Sequence, residues 1–250
     1  MSAPTPSYAV VIPARLSSTR LPEKPLLRET GKYLIEHVVE RARRAPGVAR
    51  VIVAVDDDRV EAAVQSFGGE AVRTDPAHDS GSARCAEVAR ALSEDVVVNV
   101  QGDEPAFEPS DLARLARAAV RPGVDIATLS YPVASPADAA AASLVKVVTR
   151  ADATALYFSR APIPFDRATG LASNRALAHV GIYAFPRRRL LDYVALPAGT
   201  LAATESLEQL RALEAGWTIA VLSATNPPLG VDTPEDYRRF VALVREGRLR

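Results

Sequence analysis

Tyr8-Ala-Val-Val-Ile-Pro13, running straight into Ala14-Arg-Leu-Ser-Ser-Thr-Arg-Leu-Pro-Glu-Lys-Pro25, is the stretch that decides the fold. A short, unbroken apolar run ending at a polar, proline-marked loop is the pattern of a strand covered on both faces. The pattern returns at Arg50-Val-Ile-Val-Ala-Val55 and at Asp95-Val-Val-Val-Asn-Val-Gln101. Between these runs the apolar spacing turns helical. It does so over Gly31–Ala45, with Leu34, Ile35, Val38, Val39 and Ala42 on one face and Pro46-Gly47 as the stop. It does so again over Asp58–Phe67, ended by Gly68-Gly69, and from about Ser82 to Leu92. Ala71-Val-Arg73 sits where a third strand belongs. Buried strands alternating with amphipathic helices predict an α/β fold, a mostly parallel sheet with helices on both faces.

Beyond Val120 the rhythm changes. Ile126–Val133, Leu144–Thr149, Ala155–Ser159 and Val180–Phe185 read as strands, but Pro132, Pro136, Pro162, Pro164 and Pro186 interrupt the region. Mixed or antiparallel strands in a central insertion, about 126–200, are expected there. Phe165–Arg175 has no periodicity and reads as a mobile loop. Alternation resumes with a helix over Thr204–Ala215, a strand over Thr218–Leu222 and a last helix after Thr233. Thr233 is its expected N-cap, with Pro234 at the first helical position and Glu235-Asp236 in the first turn. The expected organisation is one domain over 8–250 behind a flexible lead-in, residues 1–7.

The chain has 250 residues, 48% hydrophobic and 24% charged, a composition that supports a large core without staples. Lys and Arg number 30 and Asp and Glu number 30, so the positive excess that nucleic-acid binding draws on is missing. No nucleic acid is expected as partner. The lone Cys85 excludes a disulfide framework and reads as a small apolar helix residue, and His37, His78 and His179 are scattered without metal-ligand spacing. No apolar run reaches membrane-spanning length, and Met1–Ser7 carries neither a basic nor an apolar leader segment. A soluble, cytoplasmic protein with no membrane insertion is expected.

Ligands of open parallel sheets bind beyond the carboxyl ends of the strands. The loop after the first strand sets Arg15, Arg20 and Lys24 among the hydroxyls of Ser17, Ser18 and Thr19. It is either a solvated loop or a triphosphate site in which side chains carry the phosphates, because no glycine-rich dinucleotide or P-loop motif is present. Gln101-Gly-Asp-Glu-Pro105 is a turn before a helix, or it offers Asp103 to Mg²⁺ while Glu104 faces away. Asp232, one residue before the last helix cap, is a helix-start residue or the second carboxylate of a clamp on Mg²⁺ carrying substrate phosphates. Arg160, His179, Tyr183, Glu208 and Gln209 can read carboxylates and sugar hydroxyls. Equally, His179 fits a strand histidine, and Glu208 and Gln209 a solvated helix face.

Together these segments resemble the CMP-Kdo synthetases, the 3-deoxy-manno-octulosonate cytidylyltransferases. The resemblance rests on Val11-Ile-Pro-Ala-Arg15, Ser18-Thr-Arg-Leu-Pro22, Lys24-Pro-Leu26, Asp79-Ser-Gly81 and Val98-Asn-Val-Gln-Gly-Asp-Glu-Pro105. It continues through Ala155-Leu-Tyr-Phe-Ser-Arg160, Gly181-Ile-Tyr183, Leu207-Glu-Gln-Leu-Arg211 and Gly230-Val-Asp-Thr-Pro-Glu-Asp236, in family order from Ala9 to about Arg239. It implies a Rossmann-like nucleotidyltransferase fold, CTP and Kdo as substrates, Mg²⁺ as cofactor, and a homodimer formed through the central insertion. The implied product, CMP-Kdo, feeds lipopolysaccharide synthesis. Arg15, Ser18, Arg20 and Lys24 are implied on the triphosphate, Ser80 and Gly81 near the cytosine, and Asp103 and Asp232 on Mg²⁺. Lys24, Asp103 and Asp232 form the implied catalytic set. Gln101, Arg160, His179, Tyr183, Glu208 and Gln209 are implied around the sugar. Glu23 stands where the family commonly has glycine, and Ala83 where it often has glutamate. The rival readings are a synthetase for another keto-sugar acid (8-amino-Kdo or sialate-type), a glycosyltransferase, and a non-catalytic nucleotide-binding regulator. A glycosyltransferase of similar fold uses a D-x-D-like motif, which Gln101–Pro105 does not spell.

Overall fold

Every residue of β1 (Tyr8–Ala14) is buried. Tyr8, Val10 and Ile12 point into one apolar cluster with Ile35, Val38 and Leu112, while Ala9 and Val11 point into another with Cys85, Ala86 and Leu190. Successive strand side chains face opposite ways, so a continuous apolar run serves two cores, one on each face of a sheet. The structure, a computed structural model, describes residues 6–17, 20–168, 171–172 and 175–249. Most of the expected lead-in, and Ser18, lie outside the described residues.

The chain continues through α1 (Leu34–Arg43), β2 (Val48–Val55), α2 (Asp58–Ser66), β3 (Glu70–Arg73), α3 (Gly81–Ala89), β4 (Val96–Asn99) and α4 (Pro109–Ala119). The middle holds β5 (Ile126–Pro132), α5 (Pro136–Ala140), β6 (Lys146–Thr149), β7 (Ala155–Ser159), β8 (Phe165–Asp166), β9 (Leu171–Ala172) and β10 (Leu177–Pro186). It closes with α6 (Arg187–Val194), α7 (Thr200–Glu205), α8 (Leu210–Glu214), β11 (Ile219–Ser223) and α9 (Pro234–Arg245). The main sheet runs β11-β5-β10-β4-β1-β2-β3, with β6 and β7 attached beside β10. β2 and β4 flank β1 in parallel, β3 is parallel to β2, and β11 to β5. β10 is antiparallel to both β4 and β5, and β6 and β7 are antiparallel to their neighbours. The sheet is therefore largely parallel with a mixed central part, as the sequence pattern predicts.

Three expected elements differ. The helix expected from Gly31 starts at Leu34, because the Glu36 carboxylate accepts from the Tyr33 amide (3.1 Å) and fixes the first turn there. The helix expected over Thr204–Ala215 is two short helices, α7 and α8, broken at Ser206, whose φ of 52° is left-handed. The break is held from outside: the Glu205 carboxylate accepts from Ser159 Oγ (2.6 Å) and the Arg160 amide (2.9 Å). Glu208 and Gln209 consequently lie in the turn between the helices rather than on a solvated helix face, and Gln209 is buried. Within the expected loop Phe165–Arg175, β8 and β9 form a small antiparallel ladder, too short to leave a period in the sequence.

Candidate active site

Loops at the carboxyl ends of β1 and β4 and the start of α3 enclose a cleft of about 300 Å³. Arg15, Ser17 and Lys24 come from the loop after β1, Asp79, Ser80 and Gly81 from the start of α3, and Gln101, Gly102 and Asp103 from the loop after β4. The β1 loop is set by a 3₁₀ turn over Lys24–Leu26, entered through Glu23 at a left-handed φ of 52°. The Glu23 carboxylate is gripped bidentately by Arg59 on α2 (2.5 and 2.8 Å), which anchors a residue whose backbone conformation favours glycine.

Lys24 Nζ donates to Asp103 Oδ2 at 2.7 Å and to Asp232 Oδ1 at 3.0 Å. Two carboxylates separated by about half of the chain thus meet on one nitrogen. Their backbones are fixed independently of it. Val231 N donates to Asp103 O (2.8 Å), joining the two loops, and the Asp232 amide donates to Asp236 Oδ2 (3.2 Å) in the capping arrangement of α9. Asp236 also accepts from the Thr233 amide (2.9 Å), and the Thr233 side chain accepts from the Asp236 amide, a reciprocal cap. Arg20 NH2 lies 3.3 Å from Asp232 Oδ1. Burial pulls the Lys24 ammonium downward, but Asp103 and Asp232 together outweigh it and hold its pKa above the usual lysine value. Beneath them, burial and then the Asp103 and Asp232 charges push the Glu104 carboxyl up to about 8. Glu104 is directed at Gly230, where a Cβ would come within 3.2 Å of its Oε1.

The donor set suits a hard cation. Mg²⁺ takes one or two carboxylates and leaves its other positions to phosphate oxygens and water. Among the described residues no group of three or more His, Cys, Asp or Glu forms an all-protein metal cage. A terminal guanidinium nitrogen of Arg15 is buried with no hydrogen-bond partner among the described residues, a donor in want of an anion. Ser80 caps α3, its Oγ accepting from Ala83 N (3.1 Å). Gly81 packs closely: a Cβ there would meet Pro13 at 3.2 Å and Gln101 Oε1 at 3.3 Å.

A second polar group adjoins the cleft through Gln101, which donates to Asn99 Oδ1 (3.0 Å) and lies against Gly181. His179 Nε2 lies 3.0 Å from Thr128 Oγ1, with its ring edge-on to Phe158 and 5.4 Å from that of Tyr183. Burial pulls the His179 pKa down to about 3, and burial followed by the Glu208 charge pushes the Tyr183 phenol upward. Burial raises the Glu208 pKa, while the Ser82 and Ser80 hydroxyls favour its charged form, so Glu208 faces the start of α3. Glu208 Oε1, Gln209 Nε2 and Asn99 Nδ2 are buried with no hydrogen-bond partner among the described residues.

Arg160, expected among the sugar ligands, lies beside the turn that carries Glu208 and Gln209. Its guanidinium donates to the carbonyls of Glu205 (2.8 Å), Ala142 (3.1 Å) and Ser206 (3.3 Å), bracing the turn that carries Glu208 and Gln209. Asn99 and Thr128 were not read from the sequence. Asn99 carries a signal, being the one polar side chain in the run Val96–Val100, whereas Thr128 resembles any strand threonine.

A family profile described as cytidylyltransferase matches residues 9–219. The 3-deoxy-manno-octulosonate cytidylyltransferase of an Anaeromyxobacter species is 52% identical over 96% of this chain and 97% of its own length. The protein of that name from Escherichia coli is 47% identical over 95% of this chain and 96% of its own. A solved CMP:2-keto-3-deoxy-manno-octonic acid synthetase complexed with CTP superposes with a TM-score of 0.89 at 46% identity, covering 96% of this chain and 99% of that one.

Proposed function

The chain belongs to the cytidylyltransferase family, with the 3-deoxy-manno-octulosonate cytidylyltransferases as its relatives, and we propose that it converts CTP and Kdo to CMP-Kdo and pyrophosphate. The observation that carries this reading is the meeting of Asp103 and Asp232 on Lys24 at the edge of a cleft lined by Arg15, Ser80 and Gln101. A cation clamp beside the unpartnered guanidinium nitrogen of Arg15 suits a nucleoside triphosphate, whose several negative charges need fixed opposite charge.

In this reading Arg15, Ser18, Arg20 and Lys24 grip the triphosphate, and Ser80 and Gly81 seat the base. Gln101 spends its amide nitrogen on Asn99, which leaves Oε1 to accept from the sugar. His179, Tyr183, Glu208 and Gln209 line the acceptor pocket, and Arg160 holds its wall through the turn at Ser206. The anomeric hydroxyl oxygen bonds to the α-phosphorus as the bridging bond to the β-phosphate breaks; the hydroxyl proton passes to water and pyrophosphate leaves. Asp103 and Asp232 would hold Mg²⁺, which when bound neutralises charge on the phosphates. The protein's part is to align the two substrates and to keep cations along the path of the departing charge.

We place the enzyme in the cytoplasm as a homodimer serving lipopolysaccharide assembly. Exposed Leu156 on β7, Phe165 on β8 and Leu201 on α7 support an interface along the insertion. No helix among the described residues is long and apolar enough to cross a membrane. Purified protein is to be incubated with CTP, Mg²⁺ and Kdo while pyrophosphate is measured. Turnover with Kdo is expected. Turnover only with another keto-sugar acid, or none with any, overturns the assignment.

A further inference from the structure

Arg84 lies in α3, completely shielded from solvent, one turn beyond the Ser80 and Gly81 that line the cleft. Its NH1 donates to Thr74 Oγ1 (2.7 Å) and its NH2 to Asp56 Oδ2 (3.0 Å). Thr74 follows β3, and both its amide and its hydroxyl donate to the Val55 carbonyl at the end of β2 (2.9 and 3.0 Å). Asp56 follows β2, and its other oxygen accepts from the Leu16 amide at 3.4 Å, inside the loop that carries Arg15 and Ser17. One guanidinium therefore links the carboxyl ends of two strands to α3 and, through a single carboxylate, to the loop after β1.

Stability does not account for this group. A buried ion pair roughly breaks even against well-packed apolar side chains. Here, in addition, the Arg84 Nε is buried with no hydrogen-bond partner among the described residues, an uncompensated cost. What the arrangement supplies is geometry. A planar fork bonds two partners at fixed angles, which an apolar residue or a lysine cannot copy. The loop it reaches carries Arg15, one of whose terminal nitrogens has no hydrogen-bond partner among the described residues.

We propose that Arg84 is a positioning residue for the triphosphate: through Asp56 it holds the Leu16 amide, and so sets the Arg15–Ser17 segment against the start of α3. The inference rests on the cytidylyltransferase reading and adds a residue to it. Arg84 touches no substrate in this account. Its effect is on the substrate held by the β1 loop and not on the acceptor held by Glu208 and Gln209.

The test compares Arg84→Met, Arg84→Lys and the double variant Arg84→Met/Asp56→Asn with the wild type, measuring thermal midpoint and KM for CTP and Kdo separately. Arg84→Met is expected to raise the CTP KM by about tenfold or more, equivalent to about one lost charge-assisted hydrogen bond, with the Kdo KM within about threefold. Arg84→Lys keeps the charge but cannot span Thr74 and Asp56 together, and falls between. The double variant leaves no stranded carboxylate, so it recovers the thermal midpoint while the CTP KM stays high. A CTP KM that returns with the thermal midpoint, or two KM values that rise together, shows a purely structural residue and overturns the proposal. If Arg84→Met does not fold, the lysine and double variants carry the same comparison. A wild type that does not use CTP defeats the functional reading instead, before any variant is measured.

Discussion

Acidification should cost this protein stability through His179, by an amount that the structure allows to be worked out. The ring is flanked by Phe158 and Tyr183, and its Nε2 lies 3.0 Å from Thr128 Oγ1. Thr128 Oγ1 is also within 3.1 Å of the Val180 carbonyl and 2.9 Å of that of Ile182, so its one proton goes to a carbonyl. The neutral ring, assigned with its proton on Nε2, then satisfies the remaining contact, and a second proton adds charge to a half-buried ring among aromatic neighbours that solvate it poorly. Burial accordingly pulls the pKa from 6.5 to about 3. Between those values the unfolded chain binds a proton that the folded chain does not, so the stability present above pH 6.5 is lost as the pH falls towards 3. The loss approaches about 1.4 kcal/mol per pH unit and totals about 2 kcal/mol between pH 8 and pH 5. Urea unfolding at both pH values, on the wild type and on His179→Gln, isolates the contribution, because carboxylates that titrate in the same range cancel between the two proteins. The stability gap between the two should narrow by about 2 kcal/mol on going to pH 5. Unfolding free energies that stay parallel across that range would show that the histidine is solvated in the folded state and would refute the reasoning.

Asp103→Asn should lower kcat by about 100-fold or more while the thermal midpoint changes little; near-normal turnover at saturating Mg²⁺ counts against a metal-holding role. Lys24→Met should damage CTP use most, and it should also make the protein more responsive to Mg²⁺, whose addition raises the thermal midpoint further than in the wild type, as scanning calorimetry would detect. Arg160→Ala removes the brace on the Ser206 turn and should raise the Kdo KM about tenfold with little change in the CTP KM, read by varying one substrate at a time. Gly81→Ala should weaken CTP by several-fold, since its Cβ would arrive 3.2 Å from Pro13 and 3.3 Å from Gln101; titration calorimetry with CTP gives the answer directly.

The parts of the fold legible in the sequence are those whose signal is local. β1, β2 and β4 carry continuous apolar runs because both faces are covered, and α9 announces itself through Thr233, Pro234 and Asp236. The division between α7 and α8 was not legible. Thr204–Ala215 is rich in helix formers, and the break at Ser206 is imposed by Ser159 and Arg160 from a strand far away in sequence, a tertiary contact overriding propensity. At the site, the residue types near strand ends could be read, so Arg15, Lys24, Asp103 and Asp232 stood out. Their mutual distances could not, because they depend on β1 and β4 being neighbours and on the Val231–Asp103 backbone bond. Arg84 carried no signal: a charged residue on a helix ordinarily points to water, and its partners Thr74 and Asp56 lie just after two strands distant from it in sequence.

The position of Lys24 explains why the two aspartates can be held together at all. Side chains of Asp103 and Asp232 are 32% and 49% exposed, so water screens part of their repulsion, but Lys24, only 13% exposed, supplies a counter-charge at 2.7 and 3.0 Å. The carboxylates are therefore assembled by backbone bonds and neutralised in part by an ammonium that itself needs anions. On the proposed function, a divalent cation entering with a triphosphate brings those anions along. Asp103 and Asp232 would hold the cation while Lys24 would donate to phosphate oxygens instead, so that no charge would be stranded. A cation arriving without phosphate has no such compensation for the displaced lysine. Binding of metal and nucleotide to this clamp is accordingly expected to be mutually reinforcing, and the reinforcement should shrink in Lys24→Met, where the lysine term is gone.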